Sequence, residues 1–440
     1  MALIYTFRGV YGKDLTDDIA AKIGFIVGER FQKEGYDQII IGGDHRDSTN
    51  ILKKNIINSF LANNVKILDI GLVPSPVLAY IVKRYRIPGL MITASHNPPE
   101  WNGLQFHDPT SKIYGPDWEN EIKARLNEDF NLELDSTKLK THVTQKGGII
   151  NEYLNDLISK IKLGNKKLKV VIDSGNGMAT TIIPKLLDML AIDYIEVNSG
   201  LDPSFPNRPS APYIEHLEAL KKAVISNSAD VGFAYDGDSD RLIVLDDKGE
   251  SFSGDLITLL FCKELLKPDN IVLSIETSFA VEKELEKIGY KIENCRMGQT
   301  FLGEKIVEKD AVFAGEPNGH YTFPYFSYRG DGIASTAYFC QVLSSMQTSL
   351  SEINKPLSNM KREKFDWEGD ISDNAEIEDY LTQKFGNCKR LNHRLYIGQN
   401  DNSRIIFRQS QFDPSLQISV ETYDDRLTRE YFEEAKRVLF

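Results

Sequence analysis

The sequence predicts an α/β protein: three α/β units in series, followed by a smaller α+β unit. Two observations carry this. From about residue 38 to residue 315, short apolar runs of strand length alternate with stretches of helical period. After residue 361 the pattern changes, and strand-like runs cluster between two helical stretches. Alternating strand and helix is the pattern of a doubly wound parallel sheet, because a parallel strand needs a crossover to return to the same end of the sheet. Length agrees, since 440 residues at roughly 150 per domain give about three domains, with two to four reasonable.

In the first unit, QIIIGG (38–43) reads as a buried strand and STNILKKNIINSFLANN (48–64) as a helix with Ser48 at its N-cap. VKILDIG (65–71) is a strand, VPSP a turn, and PGLMITAS (88–95) a third strand. In the second unit, KKLKVVIDSGNG (166–177) gives a strand and a glycine turn, followed by a helix over about 178–191 and the strand DYIEVNS. A proline-rich loop, LDPSFPNRPSAP (201–212), precedes a helix near 213–227 and the strand DVGFAY (230–235). The third unit runs through a helix at 254–266, strand NIVLSIET, a helix at 279–289, strand YKIENCRM and AVFAG (311–315). The repetition is one of architecture, without a residue-level repeat.

The tail carries strands YIG, SRIIFRQS and LQISVET, with helices at about 375–385 and 424–438. The polar tract KREKFDWEGDISDN (361–374) reads as a linker. The predicted boundaries are 1–145, 146–248, 249–360 and 361–440.

Composition narrows the function. With 52 Lys+Arg against 64 Asp+Glu the net charge is −12, which argues against a nucleic-acid or anionic-membrane binder. Local cations for a small anion remain open. Four cysteines with no C-x-x-C spacing indicate neither a disulfide scaffold nor a cysteine zinc site. The start, MALIYTFRGVYGKDL, lacks a basic segment followed by an apolar one, and no apolar run approaches membrane-spanning length. A cytoplasmic setting is the expectation. Oligomeric state has no signature in the chain.

Ligands of open α/β sheets bind beyond the carboxyl ends of strands, and each unit has an unusual polar loop there. In LMITASHNPPEWNGLQF (90–106), a strand delivers Ser95, His96 and Asn97 to a loop stiffened by Pro98 and Pro99. That suits an exposed nucleophile; the plain alternative is a turn with incidental Ser and His. In GFAYDGDSDRLIVL (232–245), Asp236, Asp238 and Asp240 recur at every second position before Arg241. Three hard oxygen ligands suit Mg²⁺. An EF-hand is disfavoured by Arg241 and Asp247 at the positions of its Gly and Glu. A solvated acidic turn is disfavoured because three clustered carboxylates repel without a cation. In AVFAGEPNGHYTF (311–323), Glu316, Asn318 and His320 lie around Gly319, a carboxylate–amide set matched to sugar hydroxyls or, alternatively, a plain hairpin turn.

Together, in this order, TASHNP, DGDSDR and GEPNGH resemble the phosphoserine, metal and sugar-binding loops of the α-D-phosphohexomutase superfamily, which includes phosphoglucomutase, phosphomannomutase and phosphoglucosamine mutase. FRG (7–9), GGDHRDS (42–48), DPSFPNR (202–208), MGQTFLGEK (297–305) and RQSQFDPSLQISVE (408–421) extend the resemblance along essentially the whole chain. It implies four domains around a central cleft. It also implies reversible transfer of phosphate between O1 and O6 of a hexose phosphate, of mannose or glucose, with glucosamine as the alternative. Ser95 would carry the phosphate, and Asp236, Asp238, Asp240 and a phosphoserine oxygen would hold Mg²⁺. Arg8 and Arg241 would supply cations and His96 would orient or shuttle protons. Gln299, Glu316, Asn318 and His320 would meet the sugar, and Arg408, Ser410 and backbone N–H groups near Gln411 its distal phosphate.

Some positions depart from the resemblance. The usual Lys after the phosphoserine loop is Gln105, which cannot abstract a proton; the usual Ser of the sugar loop is Asn318; a frequent His is Gln299; the usual Thr and Glu of the phosphate loop are Phe412 and Asp413. Gln105 and Phe412 leave open a non-catalytic sugar-phosphate-binding homologue, and the D-x-D spacing leaves open a phosphatase using Asp236 as nucleophile, though that would leave the Ser loop unexplained.

Overall fold

A computed structural model of the chain describes residues 5–130, 141–355, 360–368, 371, 374–392, 395–409 and 415–439. In the first sheet the strand order is Leu104–His107, Gly89–Ile92, Gln38–Gly43, Lys66–Leu72, Val143–Gln145. All neighbours are parallel except Leu104–His107, which runs antiparallel to Gly89–Ile92. Side chains alternate across this sheet. Ile39 and Ile41 pack with Ile23, Val27, Ile56 and Phe60 on one face; Ile40 packs with Val77, Leu78 and Ile81 on the other. Both faces are thus covered by helices, Asp17–Glu34 and Thr49–Ala62 on one side and Ser75–Tyr85 on the other. That double burial explains why QIIIGG is apolar without a break.

The second sheet runs Ser251–Phe252, Leu242–Leu245, Val231–Tyr235, Lys169–Asp173, Asp193–Val197, and the third Lys291–Cys295, Asn270–Ser274, Phe313–Glu316, His320–Thr322. Each again joins a parallel core to antiparallel return strands. One apolar cluster continues from Ile40 and Met91 of the first sheet through Ile172 and Phe233 of the second to Leu273 and Phe313 of the third. The three units are therefore packed into one body.

The expectation of three α/β units holds, with one refinement. Each polar loop ends in a strand antiparallel to the one that delivered it, because a connection as short as 236–241 or 317–319 cannot cross over to a parallel neighbour. The VPSP turn is shorter than read, since the helix starts at Ser75 with Pro76 in its first turn. Ser48 occupies the N-cap without capping by its side chain; its hydroxyl instead accepts from Asn102 Nδ2 at 2.8 Å.

The fourth unit is an antiparallel sheet in the order Lys361–Glu368, Ser415–Thr422, Ser403–Gln409, Leu395–Gln399, Lys389–Asn392, with helices Ala375–Phe385 and Asp425–Leu439. The tract read as a linker therefore begins with an eight-residue edge strand, Lys361–Glu368. The unit seats on the third through a small apolar patch, Ile275 against Leu395, Ile397 and Ile406, and through buried Arg404. No helix of the described residues is long and apolar enough to cross a membrane.

Candidate active site

The three loops meet at the carboxyl ends of their strands. Ser95 follows Gly89–Ile92, is buried, and has a left-handed backbone with φ of 50°. Its N–H donates to Thr93 Oγ1 at 2.8 Å. Its Oγ stands 3.0 Å from Asp236 Oδ2 and 3.2 Å from His96 Nδ1. The paired segments Gly9–Val10 and Trp101–Asn102 bring Arg8 alongside, where its guanidinium donates to Asn97 Oδ1 at 3.4 Å.

The acidic loop folds on itself. Asp236 Oδ1 accepts from the N–H groups of Asp240 and Arg241 at 3.1 and 3.3 Å. Gly237 lets it approach the Ser95 loop, because a Cβ there would lie 2.7 Å from the Ser95 carbonyl oxygen. One oxygen from each of Asp236, Asp238 and Asp240 falls within a group no wider than 4.8 Å. Burial, together with Asp240 and Asp238, pushes the Asp236 carboxyl well above the ordinary range. Asp238 Oδ1 is buried with no hydrogen-bond partner among the described residues. A confined carboxylate oxygen without a donor, beside two others, fits a divalent cation with hard oxygen ligands.

Arg241 donates to His96 Nδ1 at 3.1 Å and lies 3.8 Å from Asp236 Oδ2. Burial, with Arg241 and Arg8 adding to it, drives the His96 pKa down to about 2, so this imidazole is neutral and accepts. His320 is the opposite case. Burial opposes its charge, but contacts with Asp240 Oδ1 and Glu316 Oε2, each at 3.2 Å, outweigh it and lift the pKa to about 8. His320 Nδ1 also lies 2.9 Å from Asn318 Oδ1.

Glu316 Oε1 accepts from the Gly298 N–H at 2.9 Å, and Gln299 Oε1 accepts from the Gly330 N–H at 2.6 Å. Arg408, at the end of Ser403–Gln409, faces the same region from the fourth domain. It contacts Glu276 Oε1 at 3.1 Å, Met297 Sδ at 3.0 Å and Gln417 Oε1 at 3.0 Å. Ser410, Gln411, Phe412 and Asp413 lie outside the described residues. Gln105, on the return strand Leu104–His107, is buried, and its Oε1 has no partner among the described residues.

Profiles of the phosphoglucomutase/phosphomannomutase α/β/α domains I, II and III match residues 5–133, 151–249 and 253–360 in succession. The chain belongs to this family. Among its relatives in the α-D-phosphohexomutase superfamily is a probable phosphoglucosamine mutase of Methanosarcina barkeri, 34% identical over 80% of this chain and 78% of the relative. Another, from Methanocella arvoryzae, is 29% identical over 98% and 96% of the two chains and carries the same description. A solved phosphoglucomutase/phosphomannomutase family protein from Burkholderia thailandensis shares the fold, with a TM-score of 0.83 at 24% identity over 99% and 96% of the chains. A phosphohexomutase-superfamily enzyme with three α/β domains and a separate C-terminal sheet is thus the frame for the site.

Within that family frame, sequence reasoning missed several buried residues that hold the loops. Arg329 Nη2 donates to Asp238 Oδ2 at 3.2 Å and to Asp240 Oδ2 at 2.7 Å. The Ser75 hydroxyl donates to Asp238 Oδ2, and its N–H to the Asp238 carbonyl at 3.0 Å. Arg208 holds the strand that leads into the acidic loop, donating to Tyr235 O at 2.7 Å and Asp173 Oδ1 at 3.0 Å. Arg46 stands within GGDHRDS, a motif that by itself shows no role for it. The only advance signal for Arg329 is its place beside the turn Arg-Gly-Asp-Gly, whose Asp331 caps the helix Gly332–Ser345.

Proposed function

We propose that this protein is a Mg²⁺-dependent hexose phosphate mutase working through a phosphoserine at Ser95, with glucosamine phosphate as its substrate. The observation that carries the reading is Ser95 Oγ standing 3.0 Å from Asp236 Oδ2 at the edge of the three-carboxylate group. The names of the relatives favour glucosamine over mannose or glucose.

The phosphoryl group on Ser95 passes to the free hydroxyl of a hexose phosphate, breaking the P–Oγ bond and forming a P–O bond to the sugar, while the hydroxyl's proton ends on Ser95 Oγ. The bisphosphorylated sugar turns over, and its other phosphate returns to Ser95. Asp236, Asp238 and Asp240 would hold a Mg²⁺ ion, which when bound would supply charge neutralisation for phosphoryl transfer. A phosphoserine adds about −1.5 to −2 charge, so Arg8 and Arg241 are needed as further cations. His96, so hard to protonate, orients the Ser95 oxygen rather than carrying a proton. Glu316, Asn318, His320 and Gln299 read the hydroxyls. Arg408 exchanges Glu276 for the distal phosphate, and Ser410 and the Gln411 backbone are proposed as its further donors. The domains are 1–145, 146–248, 249–360 and 361–440, one loop from each, and the setting is the cytoplasm.

The test is an intact-mass measurement for phosphate on Ser95, paired with turnover of glucosamine, glucose and mannose 6-phosphates with Mg²⁺. Preference for glucosamine phosphate, lost in Ser95→Ala, supports the reading. An unphosphorylated protein with no turnover on any of the three would sink it in favour of a sugar-phosphate-binding role.

A further inference from the structure

Arg46 lies behind the Ser95 loop. Its guanidinium has five N–H groups, and all are engaged. Nε donates to Asp44 Oδ2 at 3.1 Å. Nη1 donates to the carbonyls of Pro98 and Trp101, the latter at 3.1 Å. Nη2 donates to the carbonyls of Ser95 and Asn97 at 2.9 and 2.7 Å. One side chain therefore gathers four carbonyls from residues 95–101, a stretch whose backbone has almost no ladder of its own.

The neighbours make that grip directional. Asp44 Oδ2 also accepts from Thr93 Oγ1 at 2.7 Å, and Thr93 Oγ1 accepts the Ser95 N–H at 2.8 Å. Asp44 Oδ1 accepts from the Arg46 N–H at 3.1 Å and Thr49 Oγ1 at 2.9 Å. Ser95 is thus held at its N–H through Thr93 and at its carbonyl through Arg46, both anchored on Asp44. Between them it adopts φ of 50°, a left-handed conformation that is strained for a non-glycine residue and persists only when its surroundings impose it. The Ser95 carbonyl is also where the acidic loop comes nearest, at Gly237. Across the join, the Phe205 ring of the second unit lies 5.2 Å from the guanidinium.

We infer that Arg46 is a positioning residue for phosphoryl transfer: by fixing the carbonyls of Ser95 and Asn97 it sets where Ser95 Oγ stands relative to Asp236 and His96. This rests on Ser95 as the phosphoryl carrier. Arg46 acts through the backbone and touches neither Asp236 nor the sugar-reading residues, so it governs the transfer step and not sugar binding. Lysine cannot replace it, because an ammonium has three donors and no planar fork.

The experiment compares wild type, Arg46→Lys and Asp44→Asn on glucosamine 6-phosphate with Mg²⁺. Glucose 1,6-bisphosphate, as phosphoryl donor, measures the rate at which Ser95 becomes phosphorylated. A misplacement of about 1 Å costs roughly 10²-fold in rate. Arg46→Lys is therefore expected to lose kcat and Ser95 phosphorylation by about that factor, with KM within about threefold and the Mg²⁺-induced rise in Tm retained. Asp44→Asn, which leaves the fork but puts a donor against Nε or Thr93, is expected to lose about tenfold in kcat. A folded Arg46→Lys variant with wild-type kcat, or one losing through KM alone, overturns the inference. If Arg46→Lys does not fold, an unchanged kcat in Asp44→Asn overturns it. A wild type that neither turns over nor takes up phosphate defeats the mutase reading itself, and this inference with it.

Discussion

Replacing Arg404 by methionine should release the fourth domain from the third. Arg404 is almost fully buried where the two meet. Its Nη1 lies 2.7 Å from Glu282 Oε1 on the helix Phe279–Lys287, and its Nε donates to Glu421 Oε2 at 2.8 Å on Ser415–Thr422. Nη2 reaches Glu421 and the Thr277 carbonyl. Methionine keeps most of the volume and removes the cation in direct contact with both Glu282 and Glu421, so two buried carboxylates are left facing each other with Lys389 as a weaker positive influence on Glu282. Breaking a buried pair costs about 3–5 kcal/mol. Burial already pushes Glu282 upward even with Arg404 present, so in the variant one carboxyl takes up a proton as the medium turns acidic. The folded pKa then exceeds the unfolded one, the unfolded state loses its proton first, and the variant's deficit grows with rising pH. The assay is urea unfolding followed on the fourth domain, because a chain of several domains has no single two-state transition. Hydrogen exchange in the strands Leu395–Gln399 and Ser403–Gln409 locates the loss. Since Arg408 sits on the same strand, KM for sugar phosphate should rise as well. A deficit below about 1 kcal/mol at neutral pH, or one equally large at pH 5, would refute the electrostatic account.

Three further outcomes are expected. Ser95→Ala should fold with near wild-type secondary structure by circular dichroism and lose sugar-phosphate turnover; a variant as active as wild type excludes Ser95 as the carrier. Gly237→Ala should drive the two loops apart, because its Cβ would meet the Ser95 carbonyl oxygen at 2.7 Å; a loss of about 1–3 kcal/mol by thermal unfolding, with weakened Mg²⁺-induced stabilisation, is the expected result. Glu119, which accepts from the Thr6 N–H at 2.9 Å, is pushed by burial up to about 7; its ionisation costs stability between the ordinary carboxyl range and pH 7, so wild type should lose on the order of 3 kcal/mol relative to Glu119→Gln across that window, and a difference that does not vary with pH would contradict this.

Much of this was legible in the chain. QIIIGG and DVGFAY are apolar without a break because both faces of their sheets are covered, and the polar loops that follow such runs stand out by contrast. The acidic loop was legible because like charges at alternate positions need a cation. The strand Lys361–Glu368 was not: it is an edge strand with charged residues at six of its eight positions, KREKFDWE, and its composition matches a linker. The return strand Leu104–His107 was hidden because Gln105 and His107 interrupt its apolar pattern while both are buried. Arg329 left even less trace, and although Arg46 and Arg208 stand in GGDHRDS and DPSFPNR, nothing in those motifs showed what they hold. Apart from Asp44 beside Arg46 and the Pro209 carbonyl beside Arg208, their partners are backbone carbonyls or carboxylates far along the chain, and no periodicity marks which carbonyls a fold will leave unpaired.

Those three arginines explain how the site can exist as folded. A loop pinned only at its two strand ends keeps freedom in between, and the chemistry proposed here tolerates little of it. Arg46 gathers the carbonyls of the Ser95 loop, Arg208 fixes the Tyr235 carbonyl at the entrance to the acidic loop, and Arg329 bridges Asp238 and Asp240. Each is buried, and each is supplied by a segment other than the loop it holds. The chain carries a net charge of −12, yet these three arginines are enclosed, where screening by salt is weak. With Arg329 on one oxygen of Asp238, the other is buried without a donor among the described residues. The side chain that steadies the acidic loop would therefore also set which oxygen of Asp238 a bound cation could meet.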